Sequence, residues 1–110
     1  MAPRILLIED DDCRRIRLLE CLLHRGCRVT ACGSISEAAE ILQNVSIRSM
    51  APDTIIMSAH LLSEGGASVY TSIAERFPGT KLILMSCDHG IDWLVARLES
   101  PDGFGNCTTV

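Results

Sequence analysis

Three short, uninterrupted apolar segments constrain the fold of this chain more than any other feature. Each segment is three or four residues long and lies between polar residues; the segments are Ile5–Ile8, Ile55–Met57 and Leu82–Met85. Segments of this kind are typical of parallel strands that are covered by helices on both faces. A fourth segment, Arg28–Ala31, is more polar and is predicted as a strand at the edge of the same sheet.

The first of four predicted helices follows the first strand. It runs from about Asp12 to His24, and the acidic residues at its start suit the positive end of a helix dipole. The spacing of Ile16, Leu19 and Leu23 predicts that these three side chains form its buried face.

The remaining helices show equally regular patterns. Ser34 and Glu37 have the spacing of a capping box, in which each side chain satisfies a backbone donor of the other residue. Proline cannot continue a helix, so the third helix is predicted to stop at Pro78 and the fourth near Pro101. The predicted inward-facing residues are Ile35, Ala38, Ala39 and Leu42 in the second helix, Val69, Ile73 and Phe77 in the third, and Ile91, Leu94, Val95 and Leu98 in the fourth.

Strands and helices thus alternate four times, and residues 102–110 can hold a fifth strand. Right-handed crossovers convert this order into an open parallel sheet with helices on both faces. The 110 residues, 47% of them hydrophobic, suffice for one domain with a core and are too few for two. Ligands of such sheets bind beyond the carboxyl ends of the strands, where Glu9–Asp11, Ser58–His60 and Ser86–Asp88 are predicted to lie.

Composition argues against several other classes of protein. Ten basic against fourteen acidic residues give a net charge of -4, so this segment is not expected to contact nucleic acid directly. The first residues contain neither a signal-peptide core nor a membrane-spanning run, so we expect a cytoplasmic location without membrane contact. The six cysteines include no C-x-x-C pair and are interpreted as reduced thiols.

An acidic run directly follows the first strand. Glu9, Asp10 and Asp11 would repel a phosphate group, and the chain has no glycine-rich loop of the dinucleotide-binding or Walker type. Carboxylate oxygens instead suit a hard divalent cation such as Mg2+. The alternative is an acidic helix N-terminus that binds no ligand.

Five segments of the sequence follow one another in a specific order and spacing: Arg4–Asp12, Pro52–Ser58, Gly66, Leu82–Cys87 and Asp102–Phe104. In this arrangement the chain resembles the receiver domains of two-component response regulators over essentially its whole length. The resemblance implies a flavodoxin-like doubly wound parallel sheet with strand order 2-1-3-4-5. It also implies one receiver-like domain over residues 1–110, with the final helix absent or outside the chain, and we expect it to be the N-terminal part of a longer protein.

The resemblance further implies roles for individual residues. Members of the family take a phosphoryl group from a kinase phosphohistidine onto an aspartate at the end of the third strand. Glu9 and Asp10 match the acids that hold Mg2+ in the family, with the carbonyl of His60 as a further ligand. Ser86 matches the hydroxyl that follows the phosphoryl group, and Phe104 matches the switch aromatic of the fifth strand.

Two positions depart from the family pattern. The phospho-acceptor aspartate falls on Ser58, whose hydroxyl is a poor nucleophile without an adjacent base. The lysine that pairs with the phosphoryl group falls at or next to Cys107, and the one lysine of the chain, Lys81, is predicted at the start of the fourth strand. Because Ser58 also removes a metal-binding carboxylate, only weak Mg2+ binding is expected.

The sequence therefore predicts an atypical receiver, or pseudo-receiver, that is not an enzyme. It would act as a signalling and protein-interaction module of a two-component phosphorelay without normal aspartyl phosphorylation. Two alternatives stay open: a receiver that is phosphorylated on Ser58 or on a neighbouring acid such as Asp10 or Asp11, and a thiol-based sensor that uses Cys107. A hydrolase triad of Ser58, His60 and a carboxylate is not favoured, because no nucleophile-elbow motif is present.

The predicted partners are proteins. The resemblance implies a histidine kinase, or an output domain in the same chain such as the DNA-binding domain of a transcription regulator. The basic residues Arg14, Arg15 and Arg17 are either a solvated face of the first helix or a docking surface. Because no residues remain for a fifth helix, we expect apolar surface on the sheet or the fourth helix, which a homodimer or another domain would cover.

Overall fold

Four parallel strands form one sheet in the computed structural model, which describes residues 3–44 and 51–99. The strands are β1 (Arg4–Ile8), β2 (Arg28–Cys32), β3 (Thr54–Ser58) and β4 (Lys81–Met85), and their order in the sheet is β2-β1-β3-β4. This order confirms the predicted doubly wound parallel sheet for its first four strands. The predicted fifth strand and the predicted helix end near Pro101 lie outside the described residues.

The register of the strands brings their carboxyl ends together. Ile8 of β1 lies opposite Cys32 of β2 and Met57 of β3, and Ser58 lies opposite Met85 of β4. The apolar side chains of β1, β3 and β4 are buried on both faces of the sheet, whereas β2 alternates between exposed and partly buried residues before the buried Cys32. The prediction of β2 as the edge strand is therefore confirmed.

Helices cover both faces of the sheet. They are α1 (Asp12–His24), α2 (Ile35–Asn44), α3 (Gly66–Arg76) and α4 (Ile91–Glu99), and a short 3-10 helix (Ala59–Glu64) links β3 to α3. The core below α2 and α3 contains Leu6, Ile8, Met57 and Ile73, and the core on the opposite face joins β-strand residues to Leu18, Leu22 and Leu94 of α1 and α4. No helix in the described part of the chain is long and apolar enough to cross a membrane.

The buried face of α1 differs from the prediction. Leu18 and Leu22 face the sheet, whereas Ile16 and Leu23 are 53% and 52% exposed, so the predicted burial of those two residues is wrong. Leu19 lies between the two faces and is partly buried. Both faces of α1 carry apolar residues. The face with Leu18 and Leu22 packs against the sheet, and Arg14, one turn before Leu18, contacts the loop after β4.

The N-terminus of α2 is close to the predicted capping box. The backbone N–H of Glu37 donates to Ser34 Oγ over 3.1 Å, as predicted. The Glu37 carboxylate accepts from the N–H of Gly33 over 2.9 Å instead of from Ser34. The return half of the box has therefore moved by one residue. Ala38 is buried, and Ile35 and Leu42 pack against the core as expected.

Helices α3 and α4 mostly follow their predicted patterns. In α3, Val69 and Ile73 are buried and Phe77, directly after the helix, packs against them. The tight start of α3 requires glycine, because a Cβ on Gly66 would lie 2.5 Å from Met57 Sδ and 2.6 Å from the Leu61 carbonyl oxygen. In α4, Leu94 is buried and Leu98 packs against the same core. Ile91, in the first turn, is 38% exposed, so its predicted inward position is wrong.

Exposed apolar side chains were expected on the sheet or the fourth helix, and in the described residues they lie on α4 and on α1 but not on the sheet. Helix α4 packs beside α1, and the sheet residues below them, such as Leu7 and Ile83, are fully buried. The sheet therefore offers no apolar face of the predicted kind in the described residues. The exposed large apolar side chains there are Ile16 and Leu23 on α1 and Ile91 on α4.

Candidate functional site

A polar cavity of about 380 Å3 lies at the carboxyl ends of β1 and β3 and beside the loop after β4. The cavity is lined by Glu9, Asp10, Asp11, Arg14, Ser58, His60 and Cys87. The structure thus brings together four of the predicted site residues, namely Glu9, Asp10, Ser58 and His60. Phe104 and Cys107, which were predicted to belong to the same region, lie outside the described residues.

Ser58 and Glu9 form the buried floor of this cavity. Ser58 is the last residue of β3, and its hydroxyl donates to Glu9 Oε1 over 2.8 Å. The two residues are only 5% and 3% exposed. The other carboxylate oxygen of Glu9 accepts from the backbone N–H of Asp11 over 3.0 Å. Both oxygens of this buried carboxylate therefore accept hydrogen bonds from the protein itself, as buried polar groups usually do.

Arg14 reaches from α1 across the cavity to the loop after β4. Its Nη2 donates to the carbonyl oxygens of Ser86 over 2.7 Å and of His89 over 3.0 Å. Its Nε lies 3.6 Å from Glu9 Oε1. From the sequence, Arg14 was expected to be a solvated or docking residue, and this role was missed. Its partners are more than 70 residues away in the chain, so no local pattern in the sequence could have shown the contact.

Asp10 and His60 form a second acid–base pair at the mouth of the cavity. His60 Nε2 lies 2.8 Å from Asp10 Oδ2, and the two side chains are 53% and 43% exposed. The hydrogen bond from Asp10 raises the pKa of His60, and the same bond lowers the pKa of Asp10. The pair therefore favours a charged imidazolium beside a carboxylate. Solvent screens both groups, so their mutual attraction stabilises the fold only slightly.

The next two acids stabilise the start of α1. Asp11 is the N-cap residue, and its side chain accepts from the backbone N–H of Arg14 over 2.9 Å. Asp12 accepts from Arg15 Nη2 over 2.6 Å, and Nη1 of Arg15 donates to the Glu9 carbonyl over 2.9 Å. The interpretation of the acidic run as a helix N-terminus is thus confirmed for these two residues.

The loop after β4 is ordered by contacts of its own. Ser86 Oγ accepts from the backbone N–H of Asp88 over 3.3 Å, and the backbone N–H of Ser86 donates to His89 Nδ1 over 3.1 Å. The His89 ring stacks on Trp93 with 3.7 Å between ring centroids and 6° between ring planes. The Ser86 hydroxyl, predicted to follow a phosphoryl group, is in this structure engaged within its own loop.

The arrangement of the acids does not fit a Mg2+ ion. Mg2+ requires six oxygen ligands in near-octahedral geometry, several of them waters, around one or more free carboxylates. Both oxygens of Glu9 accept hydrogen bonds, a guanidinium lies beside it, and Asp10 is paired with His60. The His60 carbonyl, the predicted further ligand, accepts from Ser63 Oγ over 3.3 Å. Within residues 3–44 and 51–99, no group of three or more His, Cys, Asp or Glu residues is arranged to hold a metal ion.

The cavity contains neither a hydrolase triad nor a disulfide. Ser58 donates to Glu9 and His60 pairs with Asp10, so serine and histidine belong to separate pairs. The described cysteines are free thiols, namely Cys13, Cys21, Cys27, Cys32 and Cys87. Burial raises the pKa of Cys32 to about 12, which makes that thiol unreactive.

Comparison with known proteins gives matches among solved structures. No protein-family model and no curated protein sequence matches the chain. The receiver domain of the hybrid histidine kinase CckA superposes with a TM-score of 0.71 and 20% identity, covering 87% of this chain and 95% of that one. The non-phosphorylated HemR receiver domain from Leptospira biflexa gives a TM-score of 0.62 and 26% identity, over 88% and 74% of the two chains.

A third neighbour is a phosphorylated response regulator. It is a response regulator from Burkholderia pseudomallei whose structure includes a phosphorylated aspartic acid, a calcium ion and citrate. It superposes with a TM-score of 0.63 and 19% identity, over 84% of this chain and 52% of that one. Together with the sheet order and the flanking helices, these matches show that this chain has the flavodoxin-like fold of response-regulator receiver domains.

Proposed function

We propose that this chain is a signalling module with the receiver fold that acts through protein contacts and is not phosphorylated on an aspartate. The observation that carries the proposal is the buried pair of Ser58 and Glu9. Ser58 stands at the end of β3, where the family resemblance places the phospho-acceptor, and its hydroxyl is held by the Glu9 carboxylate over 2.8 Å. A histidine kinase or an output domain is the partner that the resemblance implies.

The charges of the cavity support this proposal. A phosphoryl group carries up to two negative charges and needs cations that are free to bind it. Arg14 already contacts two carbonyl oxygens and the Glu9 carboxylate, and His60 is paired with Asp10. Lys81 lies at the other end of the sheet, opposite Thr54 and four residues before the level of Ser58, a separation of about 13 Å along the strand.

A phosphodonor experiment tests the proposal directly. The chain is incubated with acetyl phosphate and Mg2+, and its intact mass is measured before and after hydroxylamine treatment. We expect no adduct on the wild-type chain, because Ser58 offers no ionised acceptor. A stoichiometric, hydroxylamine-sensitive adduct would show an acyl phosphate on an acid such as Asp10 or Asp11 and would contradict the proposal.

One observation favours a second candidate function, phosphorylation of Ser58 itself. Glu9 Oε1 accepts the hydrogen bond of the Ser58 hydroxyl and is therefore an adjacent base for it. The sequence alone could not show this contact. Glu9 would take the hydroxyl proton while Ser58 Oγ attacks the phosphorus atom and the leaving group departs with its bonding electrons. The same mass measurement distinguishes this case: the adduct would be stable to acid and to hydroxylamine and would disappear in Ser58→Ala.

We also propose the predicted homodimer, with the exposed apolar residues of α1 as its surface in place of the sheet or the fourth helix. Ile16 and Leu23 are seven residues apart on one face of α1, with the partly buried Leu19 between them. An exposed apolar stripe of this spacing is the kind of surface that two helices use to pair. A second copy of the chain supplies the same stripe, so a two-fold arrangement would cover both.

Light scattering over a range of protein concentrations tests the dimer. We expect the mass to rise from 12.0 kDa toward twice that value as concentration increases. Leu23→Glu should keep the chain monomeric, whereas the matched variant Ile91→Glu, which changes the exposed residue of α4, should still dimerise. A wild-type chain that stays monomeric at every concentration, or equal loss of the dimer in both variants, would contradict the proposal.

A further inference from the structure

We propose that Arg14 takes the place of a metal ion in this cavity: it neutralises Glu9, excludes Mg2+, and holds the loop after β4 in one position. The inference deepens the proposed function, since both concern the same cavity. The two can fail separately, because one is tested by metal binding and the other by covalent modification.

The Arg14 guanidinium lies beside a buried carboxylate. Arg14 Nε lies 3.6 Å from Glu9 Oε1, and Glu9 is 3% exposed. A buried carboxylate is stable only when a partner balances its charge. A second cation at Glu9 would lie beside a guanidinium that cannot lose its proton, so the two positive charges would repel each other. Mg2+ can therefore reach Glu9 only if Arg14 leaves.

Two backbone carbonyls of the loop after β4 hold the Arg14 guanidinium in place. Nη2 of Arg14 donates to the carbonyl oxygens of both Ser86 and His89, which are 72 and 75 residues away in the chain. Leaving the cavity would break both of these hydrogen bonds and leave two carbonyls without this donor. The contacts that hold Arg14 at Glu9 and those that hold the loop after β4 are thus made by one side chain. The presence of Arg14 at Glu9 and the position of the loop after β4 are therefore linked.

Arg14 differs from a neighbouring arginine on the same helix in its exposure and its contacts. Arg14 is 20% exposed at the side chain, so it is not a freely solvated surface residue. Arg17, one turn further along α1, is exposed, and its side chain makes no ion pair or hydrogen bond with another residue in the described ranges. Two arginines on the same helix therefore differ in their contacts, and Arg17 provides a matched control.

Trp93 provides the signal for the experiment. It is the one tryptophan of the chain and stacks on His89, whose carbonyl oxygen accepts from Arg14. A change in the position of the loop therefore changes the surroundings of this indole. Its fluorescence and the thermal unfolding midpoint are both followed while MgCl2 is added to the wild-type chain, Arg14→Ala, Arg14→Lys and Arg17→Ala.

We expect the wild-type chain and Arg17→Ala to show no specific response to Mg2+. Arg14→Ala should shift the Trp93 emission without metal, and it should bind Mg2+ at least about tenfold more tightly than the wild-type chain, with a rise in unfolding midpoint. Arg14→Lys keeps the charge but cannot reach both carbonyls and Glu9 at once. Because the positive charge is kept, this variant should still exclude Mg2+; because the contacts with the two carbonyls are lost, its Trp93 emission should still shift. It therefore distinguishes the effect of the charge from the effect of the contacts that hold the loop.

Three results would overturn the proposal. The first is a Mg2+ response in the wild-type chain that equals the response of Arg14→Ala. The second is Trp93 emission that is unchanged in both Arg14 variants. The third is an Arg14→Ala chain that folds, as judged by circular dichroism, and yet does not gain Mg2+ affinity. If Arg14→Ala does not fold, the Trp93 emission of Arg14→Lys is compared with that of Arg17→Ala. A shift in Arg14→Lys alone supports the proposed hold of Arg14 on the loop, and no shift contradicts it.

Discussion

Leu22→Ala is expected to lower the free energy of unfolding by roughly 2–5 kcal/mol, the usual cost of a cavity left by a buried leucine. Leu22 is fully buried and packs with Leu18 and Leu94 in the core below α1 and α4. A domain of this size is stable by only about 5–15 kcal/mol, so the loss is a large part of the total. Urea unfolding followed by far-ultraviolet circular dichroism measures it.

The neighbouring residue supplies the control. Leu23 is 52% exposed, and Leu23→Ala is expected to change the free energy of unfolding by less than about 0.5 kcal/mol at a concentration where the chain is monomeric. Alanine also suits a helix at least as well as leucine, so the substitution has no cost from helix propensity. Equal losses in the two variants, or a larger loss in Leu23→Ala, would show that α1 presents the other face to the sheet.

The strands were predictable because burial on both faces leaves a local signal. The uninterrupted apolar segments locate β1 and β4 to within one residue: Ile5–Ile8 was predicted against Arg4–Ile8, and Leu82–Met85 against Lys81–Met85. The bounds of α1 also agree with the prediction, since an acidic N-cap region and the end of the apolar pattern lie in the sequence itself. In each case the determining interactions are local.

The rotation of α1 was not predictable in the same way. Its sequence carries two apolar faces, one with Leu18 and Leu22 and the other with Ile16 and Leu23. Periodicity alone cannot choose between them. Leu18 and Leu22 face the sheet, and Arg14, one turn before Leu18, contacts Ser86 and His89, which are more than 70 residues away in the chain. The contacts that decide the face are therefore tertiary.

The position of α4 is a second tertiary effect. A right-handed crossover from β4 to a further strand on its outer side would place the connecting helix on the face of α2 and α3. In the structure α4 instead packs beside α1, with Leu94 in the core that contains Leu18. The expected exposed sheet face is covered for this reason. The candidate site was easier to predict, because the carboxyl ends of parallel strands meet whichever face a helix occupies.

The cavity combines residues that were predictable with contacts that were not. Glu9, Asp10, Ser58 and His60 lie in the predicted region, since each stands at the carboxyl end of a strand or within two residues of it. Their pairing depends on distances that no spacing reveals: Ser58 with Glu9, and His60 with Asp10. These pairs change the chemical interpretation from a weak metal site to a closed set of internal hydrogen bonds. The Ser58–Glu9 contact is the most buried of them and the one whose loss should cost most.

Ser58→Asp is therefore expected to destabilise the chain by roughly 2–4 kcal/mol at neutral pH in the absence of divalent metal. The substitution removes the hydroxyl that donates to Glu9 Oε1 over 2.8 Å and puts a second carboxylate at the same buried place. Glu9 and Ser58 are 3% and 5% exposed, so water screens the repulsion poorly. Adjacent buried carboxylates cannot both ionise without cost, which raises the pKa of one of them in the folded chain.

The sign of the pH dependence and a neutral control make this prediction specific. A carboxyl whose pKa is raised by folding stabilises the folded state only while it is protonated, so the loss in Ser58→Asp should shrink as the pH falls from neutral toward about 4. Asparagine has nearly the same size as aspartate, carries no charge and can still donate a hydrogen bond to Glu9. The free energy of unfolding of Ser58→Asn should therefore fall by less than about 1.5 kcal/mol at every pH. The difference in the free energy of urea unfolding between the two variants over this pH range measures the effect of the added charge. Identical unfolding curves at neutral pH would mean that Glu9 is not held as a buried carboxylate by Ser58, and the electrostatic basis of the proposed function would then be lost.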